Sequence, residues 1–275
     1  MLYNSRVYGV YDNARRTKKG INPDMINYDL HIHTEYCGHA PGMTIEAIIA
    51  AAELRQLETI AITAHVFNED DLQLIKKIND RVAGIDTYVK VIVGAEVDVD
   101  GARCDGKLIT DKLDNIPYVL GSMHYIPTTM IYPSSPLDNP LEPDKFFRVW
   151  QSTLIGLVSN PRIDTLAHPG RLAGQSCDLD VFFDDMLAVF QQAAQLSVIN
   201  NICWEVNELN ERKVPADYHQ RWNEIYETAL DVGVKLVYGS DAHKPEDIGK
   251  QSFTKKTLQT TRNLHLKTPQ SLGLV

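Results

Sequence analysis

Long apolar runs are missing from this 275-residue chain. No segment approaches the roughly 20 residues needed to cross a bilayer, and the N-terminus lacks the apolar core, about 7–15 residues long, of a secretory signal. Neither a membrane-spanning nor an exported protein is expected. Cysteine is scarce too. The four that occur, Cys37, Cys104, Cys177 and Cys203, are widely separated and form no Cys-x-x-Cys pair. That spacing suggests neither a disulfide framework nor a zinc ribbon, and it fits a reducing cytoplasm. Positive charge is also short: 27 Lys and Arg against 36 Asp and Glu leave a net charge of -9. Phosphate backbones are held mainly by Lys and Arg, so nucleic acid and anionic membrane surfaces are not expected partners, whereas a small, locally bound anion is compatible. There is no internal repeat and no low-complexity segment, and oligomeric state is not legible.

The composition, 44% hydrophobic, is enough to bury a large core in one domain. Residues 1–27 are polar, carry Arg6, Arg15, Arg16, Lys18 and Lys19, and read as an N-terminal extension packed on the domain that follows, residues 28–275. From there strand-like and helix-like patterns alternate. Strands are expected at 28–33, 59–65, 88–98, 118–124, 164–168, 198–207 and 235–241, and helices at 44–55, 70–82, 144–159, 180–196 and 216–232. Thr44 offers an N-cap hydroxyl to the first helix, and a Pro-rich loop (Pro127, Pro133, Pro136, Pro140, Pro143) precedes the third. Short strands separated by helical crossovers pair in parallel. Seven such units predict an α/β fold closed, or nearly closed, into a barrel. A doubly wound open sheet is the rival, but candidate ligands come from at least six strand ends, more than one switch-point crevice gathers.

Those strand ends carry the chemistry. Seven of nine histidines fall in short polar clusters that close apolar runs: Asp29-Leu-His31-Ile-His33-Thr34, Thr63-Ala-His65, Gly121-Ser-Met-His124, Ala167-His168-Pro-Gly170 and Gly239-Ser-Asp241-Ala-His243, with His39 just after the first. Glu96 closes Val91-Ile-Val-Gly-Ala-Glu96. Imidazole nitrogen and carboxylate oxygen together suit divalent transition metals. His31 and His33, two apart on a strand, leave the same face and can grip one ion, and Asp241 and His243 repeat the spacing on the last strand. Strand closure places those two units side by side. A buried Glu96 is costly unless paired or metal-bound, and its carboxylate can bridge two cations; a salt-bridged glutamate is the competing reading. Gly94, Gly121 and Gly239 precede candidate ligands, where a missing side chain permits close backbone approach or simple packing. Asp98 is either an orienting carboxylate or a solvated acid. His219 and His265 read as surface residues, and Trp204, Phe146, Phe147, Phe182 and Phe183 as packing.

Together these clusters resemble the polymerase and histidinol phosphatase (PHP) superfamily, from about Tyr28 to Gly249, and more closely its histidinol-phosphate phosphatase branch. The resemblance rests on His31-Ile-His33-Thr34 followed by Cys37-Gly-His39-Ala40, on Gly121-Ser-Met-His124, and on Gly239-Ser-Asp241-Ala-His243-Lys-Pro-Glu-Asp-Ile-Gly249. It implies a distorted (βα)7 TIM-like barrel and two or three divalent metal ions (Zn, Mn or Fe). His31, His33, Glu96 and Asp241 would hold the first, Glu96 with His124 and His168 the second, and His39, His65 and His243 the third. Asn207-Glu-Leu-Asn-Glu-Arg212 is similar to the branch's Asn-x-x-Gly-x-Arg segment, which makes Arg212 a candidate phosphate clamp through its bidentate fork, with Arg171 a second. Ala64 stands where the family has Asp, and Ala167-His-Pro-Gly170 where the branch has Gly-His-Leu-Asp. The activity implied is hydrolysis of a small phosphorylated metabolite, L-histidinol phosphate first, to the alcohol and inorganic phosphate. Glu96, Asp241, His243 and Arg212 would serve catalysis, with a metal-bound water the first candidate for protonating the leaving group and His243 the next if it is not fully committed as a ligand. The alternatives are a nucleotide or sugar phosphate as substrate, or a catalytically silent metal-binding barrel.

Overall fold

A computed structural model of the chain describes residues 10–11, 26–126, 143–262 and 264–275. Its strands are β1 (Val10–Tyr11), β2 (Tyr28–Ile32), β3 (Thr59–Val66), β4 (Lys90–Asp98), β5 (Val119–Ser122), β6 (Thr165–Leu166), β7 (Cys203–Asn207) and β8 (Leu236–Gly239). The helices are α1 (Ile45–Leu54), α2 (Leu72–Val82), α3 (Pro143–Val158), α4 (Arg171–Ser176), α5 (Leu179–Asn200), α6 (Asn210–Lys213), α7 (His219–Val232) and α8 (Ser252–Thr260). Strands β2 to β8 pair in sequence order, all parallel. Isolated pairing of Ile32 with Ala242 then brings the last strand back to the first. The result is the expected distorted seven-stranded TIM-like barrel, with helices outside. Among the described residues no helix is long and apolar enough to cross a membrane.

The strands carry apolar runs because both faces are covered: all eight residues of β3 are buried. Outside the sheet, Ile48, Ile75, Trp150, Phe190 and Trp222 pack between strands and helices. Inside lies a smaller cluster that includes Tyr28, Leu30, Ala61, Ile92, Tyr118, Leu120, Cys203 and Val237. Period-two alternation along β4 carries the inner face from Ile92 through Gly94 to Glu96, so the interior is apolar at one end and ionisable at the other. Gly94 makes room for this filling: a Cβ there would lie 2.4 Å from the Tyr118 carbonyl oxygen.

Several boundaries differ from the sequence expectation. The strand expected at 198–207 begins only at Cys203, because α5 continues to Asn200 and ends on Asn201 in the left-handed region (φ 56°). The helices expected from residues 70 and 216 each begin with a turn of 3-10 helix, Glu69–Asp71 and Ala216–Tyr218. Thr44 caps α1 as expected, its hydroxyl accepting from the Ala47 N–H at 3.1 Å. Most of the expected N-terminal extension and the prolines of the 127–140 loop lie outside the described residues. Within the extension, β1 pairs antiparallel with Val91 and Ile92 of β4.

Candidate metal centre

The ionisable end of the barrel gathers the histidines around Glu96. Strand β2 ends at Ile32, and its pairing with β3 is irregular between Asp29 and Ile32. His31 and His33 nevertheless bring their Nε2 atoms to 3.0 Å. Asp241 and His243 lie beyond the end of β8 rather than on it. Asp241 reaches the cluster through a left-handed backbone (φ 55°), pinned by its N–H donating to the His31 carbonyl at 2.8 Å. His168 is likewise a non-glycine residue with positive φ (29°), and its N–H donates to Glu205 Oε2 at 2.7 Å. Two strained residues at one site, each held by a hydrogen bond, mark where the fold accepts conformational cost to aim side chains.

The donor set fits divalent ions. His31 Nε2, His33 Nε2, Glu96 Oε2 and Asp241 Oδ1 lie 3.0–3.8 Å apart in the measured pairs. A tetrahedron with metal–ligand bonds of about 2.0–2.1 Å has edges of about 3.4 Å. Glu96 presents its two oxygens to different partners. Oε2 lies 2.8 Å from His65 Nδ1, and Oε1 lies 2.8 Å from His168 Nε2 and 3.3 Å from His124 Nε2. His65 Nδ1 and Glu96 Oε2 approach this closely without hydrogen-bond geometry, and both are buried without a hydrogen-bond partner, as is His243 Nε2. Buried lone pairs that converge without bonding one another are what a cation requires.

Charge in the cluster is balanced by shifted protonation. Burial opposes the charged form of His31, but Glu205, Asp241 and Glu96 hold its pKa well above the usual imidazole value. His124 is raised to about 10, burial again opposing and Glu96 and Asp98 prevailing. Burial together with His65 and His243 pushes His33 well down. Burial is also the main cause that brings His168 and His243 to about 4. Glu96 and Asp241 are pushed up by burial, yet facing imidazoles, and Arg171 for Asp241, hold both well below the ordinary carboxylate range. A bound divalent ion would take the place of the imidazolium protons.

A layer of polar residues orients these ligands. Glu205 Oε1 accepts from His31 Nδ1 at 2.8 Å, which leaves Nε2 free to bind, and Asn207 donates to Glu205 Oε2 at 2.9 Å. Asp29 accepts from the N–H groups of Ser240 and Gly249, both at 2.9 Å, and burial raises its carboxyl to about 6. Asp98 Oδ1 accepts from the His124 N–H at 3.1 Å and lies 3.5 Å from its Nδ1, an orienting position rather than a solvated one. Glu205 escaped the sequence reading, although a glutamate inside the buried run Cys203–Asn207 bears the same signature as Glu96.

The two arginines stand apart from a free phosphate clamp. Arg171 is buried and its guanidinium is engaged, donating to Asp241 Oδ2 at 2.6 Å, to Asn210 Oδ1 at 3.2 Å and to Asn207 Oδ1. It holds the Asp241 carboxylate in place. Arg212 is half exposed on α6 and pairs with Asp247 at 2.9 Å. His39 is exposed at the rim beside His243, with ring centroids 4.6 Å apart. His65, grouped in the sequence reading with His39 and His243, sits against Glu96 and His124 as well as against His33 and His243, while Cys37 joins His39 and His243. His219 donates from Nε2 to the Val214 carbonyl at the start of α7, and His265 is exposed in the tail.

Residues 29–209 match the PHP domain. The chain belongs to the PHP family. Its relatives include a probable phosphatase of Caldicellulosiruptor bescii, 24% identical over 244 residues that cover 84% of this chain and 85% of that protein. Another probable phosphatase, from Aliivibrio fischeri, is 27% identical over 234 residues, 82% of each chain. The PHP fold is shared with the histidinol phosphate phosphatase of Lactococcus lactis, solved with zinc, L-histidinol and phosphate. The TM-score is 0.64 at 17% identity, covering 87% of this chain and 95% of that one.

Gly239 shows how tightly the PHP centre is built. A Cβ there would lie 2.0 Å from Glu205 Oε1 and 2.6 Å from His31 Cβ. The Glu205 carboxylate cannot swing away without releasing His31 and His168. Gly239→Ala is therefore expected to destabilise the fold by about 1–3 kcal/mol, as overpacking does, and to lower metal content. Urea unfolding and elemental analysis check both.

Proposed function

We propose that this protein is a metal-dependent phosphomonoesterase of small phosphorylated metabolites, cleaving L-histidinol phosphate to L-histidinol and inorganic phosphate in the cytoplasm. The observation that carries the reading is Glu96, whose two oxygens face separate imidazole groups, the arrangement of a bridging ligand. Its relatives' names and the substrate product held by the Lactococcus lactis enzyme support the same reaction. Zinc, manganese and iron all suit the donor set. When bound, such ions polarise a phosphoryl oxygen and make water a nucleophile near neutral pH.

The chain's own residues bind and orient. Glu96 and Asp241 supply the anionic ligands, Arg171 holds Asp241 in place, and Glu205 fixes the His31 tautomer. His243, part-exposed at the rim, would serve as a metal ligand. Beside His65 opens a cleft of about 230 Å³ lined by Thr34, Tyr36, Cys37, Phe67 and Asp71. It suits the alcohol portion of a small metabolite better than a polymer. Arg212 joins the phosphate by leaving Asp247, a half-exposed pair of a kind that stabilises by only about 0–1 kcal/mol.

Phosphate release at equal metal loading, from L-histidinol phosphate and from nucleotide and sugar phosphates, tests the reading. L-Histidinol phosphate should give the highest kcat/KM. Another metabolite cleaved about 100-fold better, some 2.7 kcal/mol in transition-state binding, would replace the substrate and keep the phosphatase. No release from any ester by fully metal-loaded protein would leave a silent metal-binding barrel.

A further inference from the structure

We propose that Asn210 is a positioning residue of the metal centre, fixing the guanidinium of Arg171 so that Asp241 keeps its Oδ1 turned toward His31 and His33. The proposal rests on the reading of Asp241 as a metal ligand. Asn210 is completely buried, and its side chain bonds Arg171 and Tyr226 rather than any of the candidate ligands.

The local fold explains how it comes to face Arg171. Asn207 closes β7, and its Oδ1 accepts from the Leu209 N–H at 2.9 Å, a side-chain turn that leads into α6 and brings Asn210 inward. On the other side, Gly170 in the left-handed region (φ 82°) turns the chain between His168 and α4, and the Arg171 N–H donates to the His168 carbonyl at 3.1 Å. Arg171 therefore opens one short helix and Asn210 opens the other, and the two helices touch.

A guanidinium taken out of water needs acceptors for the N–H groups it carries. Nη1 donates to Asp241 Oδ2 at 2.6 Å, Nη2 to Asn207 Oδ1, and Nε to Asn210 Oδ1 at 3.2 Å. Only the first of these acceptors is charged. Asn207 is shared with the ligand network, because its amide donates to Glu205 Oε2 at 2.9 Å and to Asp241 Oδ2 at 3.4 Å. Asn210 stands outside that circuit. Its amide donates to the Tyr226 hydroxyl on α7 at 3.5 Å, so the group that holds Nε is anchored to the outer helical layer.

The effect is felt at Asp241. Its Oδ2 follows Arg171, while its Oδ1 lies 3.1 Å from His33 Nε2 and 3.8 Å from His31 Nε2. A guanidinium without its Nε acceptor is free to pivot about the remaining two contacts, and the carboxylate pivots with it. Oδ1 then leaves the point it shares with the imidazoles.

The test uses the full-length protein and zinc as the probe. Asn210→Ala should bind zinc at the His31 position about 10-fold more weakly, the low end of the 10–100-fold range for outer partners, because it acts through a second side chain. In an Arg171→Met background the same substitution should cost nothing further, since no guanidinium is left to hold. That non-additivity separates positioning from a general loss of packing. In the wild-type protein, nitrogen NMR of the arginine side chains should show the Arg171 Nε–H protected from hydrogen exchange and that of half-exposed Arg212 unprotected. Unchanged zinc affinity in Asn210→Ala overturns the proposal, as does an equal further loss in the Arg171→Met background. An Arg171 Nε–H that exchanges as fast as that of Arg212 overturns it even if the variants fail to fold. These readouts are of binding and exchange, so they decide the matter whether or not phosphate esters are cleaved.

Discussion

Glu96→Ala empties two metal positions at once and lowers kcat/KM for phosphate ester hydrolysis by more than about 10³-fold, ~4 kcal/mol of barrier. The carboxylate is buried at the centre of the cluster, with Oε2 within 2.8–3.6 Å of His65, His31 and His33 and Oε1 within 2.8–3.3 Å of His168 and His124. No neighbouring carboxylate can replace both oxygens: Asp241 faces His33 on one side and Arg171 on the other, and Asp98 is turned to the back of His124. Glu96→Gln keeps the shape and removes the charge, so it should fold and yet show nearly the same loss of metal. Elemental analysis of reconstituted protein, with circular dichroism to confirm folding, reads the outcome. Two ions retained in the alanine variant would refute the bridging role.

Glu205→Ala acts from one layer further out, and its larger effect is on stability. Its carboxylate is fully buried and holds His31 Nδ1, the His168 N–H and the Asn207 amide at 2.7–2.9 Å. Removing one member of a buried charged network strands the others, a loss of about 3–5 kcal/mol. His168 also loses the contact that holds its positive φ. Affinity at the His31 position should fall about 10–100-fold, since the imidazole no longer has its tautomer fixed. Urea unfolding of chelator-treated protein separates the first effect from the second, because with metal absent only the network contributes. An unchanged unfolding midpoint in that experiment would show that Glu205 holds nothing in place.

The strand ends were legible because their chemistry is out of place in apolar runs. A histidine or glutamate that closes a buried run demands a partner, and His31, His33, His65, Glu96, His124 and His168 all announced themselves this way. Glu205 carries the same signature, but it lies in the middle of the buried strand Cys203–Asn207 whereas the others close their runs. Sequence shows the Arg171 charge near His168 without showing which way it points; the fold turns it inward to Asp241, where a buried acid needs a cation. The start of β7 was misplaced for another reason. Val198 and Ile199 are β-branched and suggest a strand, yet they sit exposed in the last turn of α5, at 44% and 76%, where helix continuation outweighs local preference.

Barrel closure has a consequence for the order in which the molecule matures. The seam between β2 and β8 is made by the His33 N–H on the Ala242 carbonyl, the Asp241 N–H on the His31 carbonyl and the Ser240 N–H on Asp29, a contact spanning 211 residues. Contacts that distant are the last to form, because the entropy of closing so long a loop must be met before they return anything. A nascent chain leaving the ribosome therefore carries Glu96, His124 and His168 long before Asp241 and His243 emerge to meet His31 and His33. Cation loading at the seam would have to wait for the final strand, and an ion bound there would act as the clasp that joins the beginning of the barrel to its end.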